Sequence, residues 1–166
     1  MVRSKTSIVV VLILALGILA IWRLFPDEEK KVRKQFDHLG EYASKAGNEN
    51  PLATASKIQK FVSLFTDPCE VKVPFYALAG KYNHQEIGAY TAGARSRYSE
   101  LSFRFDDFAV LFPEKELAEV KVTGRLTGKQ ISGERVDETR ELQCLFKKLE
   151  GQWLFYRFEI VEVLKK

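Results

Sequence analysis

Apolar residues recur at helical spacing in the first half of the chain and alternate with polar ones in the second, which predicts helices first and a sheet last. Val32, Phe36, Leu39 and Ala43 fall at i, i+4, i+7 and i+11, one face of an amphipathic helix. Asp27, Glu28 and Glu29 sit in its first turn, where the helix dipole favours anions, and Gly47-Asn48 is its stop. A second helix opens with Asn50 as N-cap and Pro51 behind it, and carries the stripe Ile58, Phe61, Val62 and Phe65 up to Thr66-Asp67-Pro68. Asn83, with Glu86 three residues on, forms a capping box for a third helix running to about Tyr98. Its apolar face is read as Ile87, Tyr90, Ala94 and Tyr98.

Between the second and third helices, Val71, Val73 and Phe75 alternate with Glu70, Lys72 and Pro74, a half-buried strand whose proline implies an edge. Residues 76–81 are a short segment able to pair with it. Four long strand-like runs finish the chain: 103–112, stopped by Pro113; 117–126, ending at Thr127-Gly128; 135–149; and 153–164. Glu150-Gly151 is a tight hairpin turn between the last two. Helices grouped ahead of a meander predict an α+β fold, three helices packed on one face of a curved antiparallel sheet. The final strand is apolar on both sides, with Trp153, Phe155, Val161 and Val163 alternating against Leu154, Tyr156, Phe158, Ile160 and Leu164. A sheet covered on one face needs one apolar side, so a partner is expected on the other, with Trp153 and Phe155 as interface residues; the alternative is that curvature of the sheet and long loops bury part of both sides.

Residues 1–26 stand apart. Ser7 to Trp22 are 16 residues without a charge, behind Arg3 and Lys5. Extended to Phe25 with Arg23 snorkelling, the run makes about 28 Å of helix, the thickness of a hydrocarbon core. The only small pair at cleavage spacing, Ala15 and Gly17, lies inside the run, and no cysteine follows it. The reading is an uncleaved signal-anchor over 1–26 and a single-pass membrane protein whose soluble domain is 27–166. Arg3 and Lys5 favour export of that domain, while Arg23, Lys30, Lys31, Arg33 and Lys34 on the other flank weigh against it.

Charge then narrows the function. Of 26 basic residues three lie in the anchor, which has no acid, leaving 23 basic against 22 acidic in the remainder. So even a balance gives no footprint for nucleic acid. His38 and His84 lie on different helices without neighbouring ligand spacing, so no metal site is expected. No phosphate-cradling glycine loop or nucleophile elbow is present, and no cofactor is implied. Cys69 and Cys144 are the only cysteines, and a disulfide between them is not expected: Cys144 sits on the apolar side of a strand as a small hydrophobe.

The element order, the helix end Ala94-Arg95-Ser96-Arg97-Tyr98 leading into Leu101-Ser102-Phe103 and Asp106-Asp107-Phe108, and the turn Glu150-Gly151-Gln152-Trp153 before the last strand together resemble the nuclear transport factor 2-like superfamily. The resemblance spans about residues 28–164. It implies a bent sheet wrapped around three helices as a cone, with a pocket at the open end. Ketosteroid isomerase-like and SnoaL-like relatives use an Asp or Glu base and a Tyr or acid donor inside that cone. The pocket candidates here are Tyr90, Tyr98, Asp106, Arg157 and Glu159. Each also has a plain structural reading: the tyrosines on a packing stripe, Asp106 as a solvated charge beside Arg104, Arg157 and Glu159 as a cross-strand pair. No spacing singles out a base, so no catalytic residue is assigned.

The expected function is a membrane-anchored, non-catalytic binding or assembly module that self-associates or docks in an envelope complex. Its layout resembles the inner-membrane assembly component of type IV secretion systems. The alternative is a membrane-tethered enzyme or carrier for a small apolar ligand in the cone. A buried, isolated carboxylate would favour the enzyme, and a pocket plugged by aromatic rings the scaffold.

Overall fold

The structure, a computed structural model, describes residues 27–74 and 77–161. The segment 1–26 that carries the signal-anchor expectation lies outside them, as do Phe75, Tyr76 and residues 162–166. Among the described residues no helix is long and apolar enough to cross a membrane. The chain divides into two compact units, 1–31 and 32–166, and the second holds the sheet and the site.

Helix α1 is described over 27–43. It is followed by α2 (Pro51–Val62), β1 (Phe65–Val73), β2 (Leu78–Tyr82), α3 (His84–Ser96), β3 (Tyr98–Glu114), β4 (Leu117–Gln130), β5 (Arg135–Leu149) and β6 (Gln152–Val161). The six strands form one sheet in the order β2-β1-β6-β5-β4-β3. All pairings are antiparallel except β1 with β6, so the sheet is mixed rather than wholly antiparallel. The parallel pair arises because α3 and four strands, β2 to β5, intervene before the chain returns to lie beside β1.

Local signals place the elements. Asn50 caps α2 with its side chain on the Ala53 amide, and Asn83 with Glu86 closes a reciprocal capping box on α3. Glu150 (φ 49°) and Gly151 (φ 81°) both turn left-handed, the geometry of a two-residue hairpin that matches strand twist.

The prolines act differently from the expectation. Pro74 falls one residue past β1, which is an interior strand flanked by β2 and β6. Pro113 does not stop β3. It sits in an edge strand at a register irregularity between Leu111 and Glu114, where no ladder N–H is needed. That edge is also shielded: Lys45 bridges Leu101 through hydrogen bonds of 2.8 and 3.0 Å, so the α1–α2 connection covers it.

The core takes the α1 stripe as read, with Val32 and Phe36 fully buried and Leu39 and Ala43 close behind. Phe36 is its centre, meeting Phe105, Phe108, Phe146 and Phe155 edge-on at centroid separations of 5.2 to 5.5 Å.

The two-sided apolar character of the last strand is reduced in three dimensions, leaving Leu154 and Val161 on the outer face among the described residues. Register slips between Leu145/Phe146 of β5 and their β6 partners, since Leu145 pairs with Arg157 and Phe146 with Phe155. Tyr156 is the extra residue, and one extra residue moves every later side chain to the other face. Trp153 and Phe155 therefore point into the core together with Phe158 and Ile160. With 1% and 0% exposure, Trp153 and Phe155 have no surface to give a partner, which corrects their assignment as interface residues. Between the ends of the sheet, the outer face of β4–β6 carries Glu119, Lys121, Arg125, Asp137, Glu141, Arg157 and Glu159, a solvated, charged face.

Candidate functional site

A second slip, between Asp106 and Ala109 of β3, has the same effect: Phe103 and Phe105 before it and Phe108, Val110 and Phe112 after it all face the helices. Asp107 turns left-handed there (φ 55°). With both bulges in place the sheet curls around the helices. The far end, where Phe112 packs on Trp153 at 5.8 Å, is filled by side chains. The near end is hollow.

The hollow is a cavity of about 360 Å³. Its walls are Leu39 and Ala43 of α1, Phe61 of α2, Val73 of β1, Phe103 and Phe105 of β3, Gly124 and Leu126 of β4, Leu142 of β5, and Phe158 and Ile160 of β6. Gly124 is a condition of the space: a Cβ there would stand 2.5 Å from Leu142 Cδ1 and 3.4 Å from Phe105 Cε1. The polar lining is Tyr98, Glu138 and Arg140. Glu138 and Arg140 lie two apart on the same face of β5, and Arg140 Nη2 donates to Glu138 Oε2 at 3.1 Å. The Glu138 side chain is 50% exposed, so this ion pair is at the mouth and not in the depth.

Of the candidates read from sequence, only Tyr98 lines the cavity. It does so as the first residue of β3, not on α3 as expected. Tyr90 is 51% exposed and stands edge-on to Tyr82 at 5.6 Å. Asp106 is exposed on the outer side of β3. Arg157 and Glu159 share the outer face and pair across to β1, Arg157 with Glu70 at 2.9 Å and Glu159 with Lys72 at 2.6 Å. The pairing has a register cause, since Glu70 and Lys72 sit directly opposite them. Sequence reading missed Glu138 and Arg140, whose strand is polar from Asp137 to Glu141. Their alternation with Leu142, Cys144 and Phe146 was the available signal.

It also missed what holds the cavity's helical wall. The buried face of α3 is Ile87, as read, together with Arg95, which an apolar stripe does not include, while Tyr90 is exposed and Tyr98 belongs to β3. Arg95 is 3% exposed. Its Nη1 is 2.7 Å from each of the carbonyls of Tyr42, Ala43 and Ser44, closing the C-terminus of α1. Its Nη2 donates to Glu49 Oε1 at 2.5 Å, and its Nε is buried without a partner. Glu49 also accepts from Lys57 Nζ at 2.9 Å and Thr54 Oγ1 at 3.0 Å. Burial opposes ionisation of Glu49, yet the hydrogen bonds from Lys57 and Thr54 and the Arg95 and Lys57 charges hold its carboxyl below the usual range. In return Lys45 donates to the Tyr98 carbonyl at 2.6 Å and the Arg95 carbonyl at 3.3 Å, closing the end of α3.

Both cysteines are free and buried. Burial pushes the Cys69 thiol up to about 12, with Glu70 adding to it, and pushes Cys144 well above its ordinary value. His84 hydrogen-bonds the Phe65 carbonyl at 2.9 Å and lies 3.8 Å from Asp67, so its ring ties α3 to β1. Among the described residues no group of His, Cys, Asp and Glu could hold a metal ion.

This geometry matches solved structures across most of the domain. A protein of Novosphingobium aromaticivorans assigned provisionally as an aromatic ring hydroxylase superposes with a TM-score of 0.69 at 14% identity, over 84% of this chain and 91% of that one. One of the same organism assigned provisionally as a scytalone dehydratase gives 0.67 at 16%, over 82% and 85%. A type 2 hexachlorocyclohexane dehydrochlorinase gives 0.66 at 9%, over 81% and 84%. No family model matches the chain, and no curated protein matches it in sequence. The fold is that of the nuclear transport factor 2-like, SnoaL-like cone. At these identities the likeness establishes the fold and nothing finer.

Proposed function

We propose that the chain is a binding protein that holds a small, neutral, apolar molecule in the cone without transforming it, tethered to a membrane by residues 1–26. The observation that carries this is the cavity itself: apolar walls, with the charged residues that line it among the described residues, Glu138 and Arg140, paired with each other at the mouth. An anionic ligand would compete with Glu138 for Arg140, and a cation with Arg140 for Glu138. A neutral molecule with one hydroxyl or carbonyl at the mouth leaves the pair intact and gains from burial. A general base needs a carboxylate held against the reacting carbon, and among the described residues Glu138 is the sole carboxylate lining the cavity, half-exposed and bonded. The dehydrochlorinase and the two provisionally assigned enzymes support small organic molecules as the ligand class. The assembly reading rests chiefly on the order of anchor and domain, and the bulge at Tyr156 weakens its argument from a two-sided last strand.

Photolabelling tests the reading. The full chain in detergent is irradiated with benzophenone, a neutral aromatic ketone, and the labelled peptides are mapped by mass spectrometry. Labels are expected on peptides holding Leu39 and Ala43, Phe103 and Phe105, and Phe158 and Ile160. Labels confined to the outer face, or none, would overturn it.

A further inference from the structure

We infer that α2 is a gate in the wall of this cavity and that Glu49 is the latch that holds it in place; the inference rests on the ligand reading above. Three observations meet here. First, α2 contributes Phe61 to the cavity wall, so its position decides how closed the cavity is. Second, no residue of α2 is fully buried, and Leu52 is 83% exposed. Its apolar hold is limited to half-buried side chains: Ile58 and Val62 lie 3.6 and 3.5 Å from where a Cβ of Gly88 would stand, and Phe61 packs on Phe65 at 5.2 Å. A helix so lightly packed is drawn from the low end of local stability. Third, its N-terminal half is tied to α3 through one carboxylate. Glu49, 4% exposed, joins Arg95 of α3 to Lys57 and Thr54 of α2.

Lys57 reaches the Ser44 carbonyl as well, at 3.2 Å, and Lys60 lies over the Tyr42 ring, so the latch also draws α2 against the end of α1. Neutralising Glu49 leaves α2 secured chiefly at its C-terminal end, where Leu64 and Phe65 are in the core. Glu49 touches no part of the cavity and acts as a positioning residue.

The test uses the full chain in detergent and two variants with opposite expectations. Glu49→Gln removes the charge and keeps the shape. Gly88→Ala adds a methyl at ordinary contact distance from Ile58 and Val62 and leaves the latch untouched. Amide hydrogen exchange over 53–62 is expected to rise about tenfold in Glu49→Gln and fall about threefold in Gly88→Ala, with β5 unchanged in both. Cavity labelling by a light flash fired just after mixing with benzophenone is expected to rise in the first and fall in the second. Exchange over 53–62 that ignores both substitutions, or that changes only in step with β5, overturns the gate. Cavity peptides that label equally in all three proteins overturn it too. A cavity that labels in none of them, while α2 exchange responds, sinks the ligand reading instead.

Discussion

Arg95 and Glu49 form the ion pair at the centre of the helical layer, both side chains under 5% exposed, with the guanidinium also spanning three carbonyls at the end of α1. Burying two charges is costly, and the pair is worth keeping only because nearly every donor and acceptor around it is used. Removing one partner leaves the other buried and uncompensated. Arg95→Met is expected to lower unfolding free energy by about 3–5 kcal/mol. Urea denaturation of the full chain in detergent, followed by tryptophan fluorescence, measures it.

The same pair sets an acid limit. Glu49 in the folded protein titrates below its ordinary value, facing Arg95 from α3 and Lys57 and Thr54 from α2. A depressed folded value means the unfolded state binds the proton first, so this contribution is whole above about pH 4.3 and lost as pH falls further. Midpoints for the native chain should drop below pH 4.3, and Glu49→Gln should remove part of that drop. Parallel acid profiles for the two proteins would refute the assignment.

The thiols predict the opposite slope. Cys69 and Cys144 are held protonated by burial, and so are unreactive in the folded state. Native protein near neutral pH should take up almost no iodoacetamide, and two equivalents in denaturant. Because an unfolded thiol ionises near about 8.5, stability should also fall as pH rises past that value.

Phe36 tests the core. Its ring is fully buried among four other phenylalanines. Phe36→Ala should cost about 3–5 kcal/mol, since neighbours on both the helix and the sheet cannot all close on the gap. Thermal unfolding followed by circular dichroism would show it as a large fall in midpoint.

Gly124 tests the cavity. A side chain there meets Leu142 and Phe105, its neighbours on the adjacent strands, where all three line the hollow. Gly124→Val should abolish benzophenone labelling of the cavity peptides at a stability cost of about 1–3 kcal/mol. Unchanged labelling would place the ligand site elsewhere.

The chain's local chemistry was legible from the start. Capping at Asn50 and Asn83, the α1 stripe, the hairpin turn at Glu150-Gly151 and the inward row Leu142, Cys144 and Phe146 each depend on neighbours a few residues away. The element order, and with it the cone, followed from them. The face of a strand did not, because alternation is counted continuously while bulges at Tyr156 and near Asp107 reset the count. Nothing local marks a bulge whose cause is the curvature of the whole sheet. Arg95 was hidden for a related reason: its charge is tolerable in the interior only because the end of α1 and Glu49, both distant in sequence, converge on it. The cavity depends on the same convergence. Its walls come from α1, α2 and five strands, so which residues line it, and the mouth pair Glu138 and Arg140, were decided by tertiary structure alone.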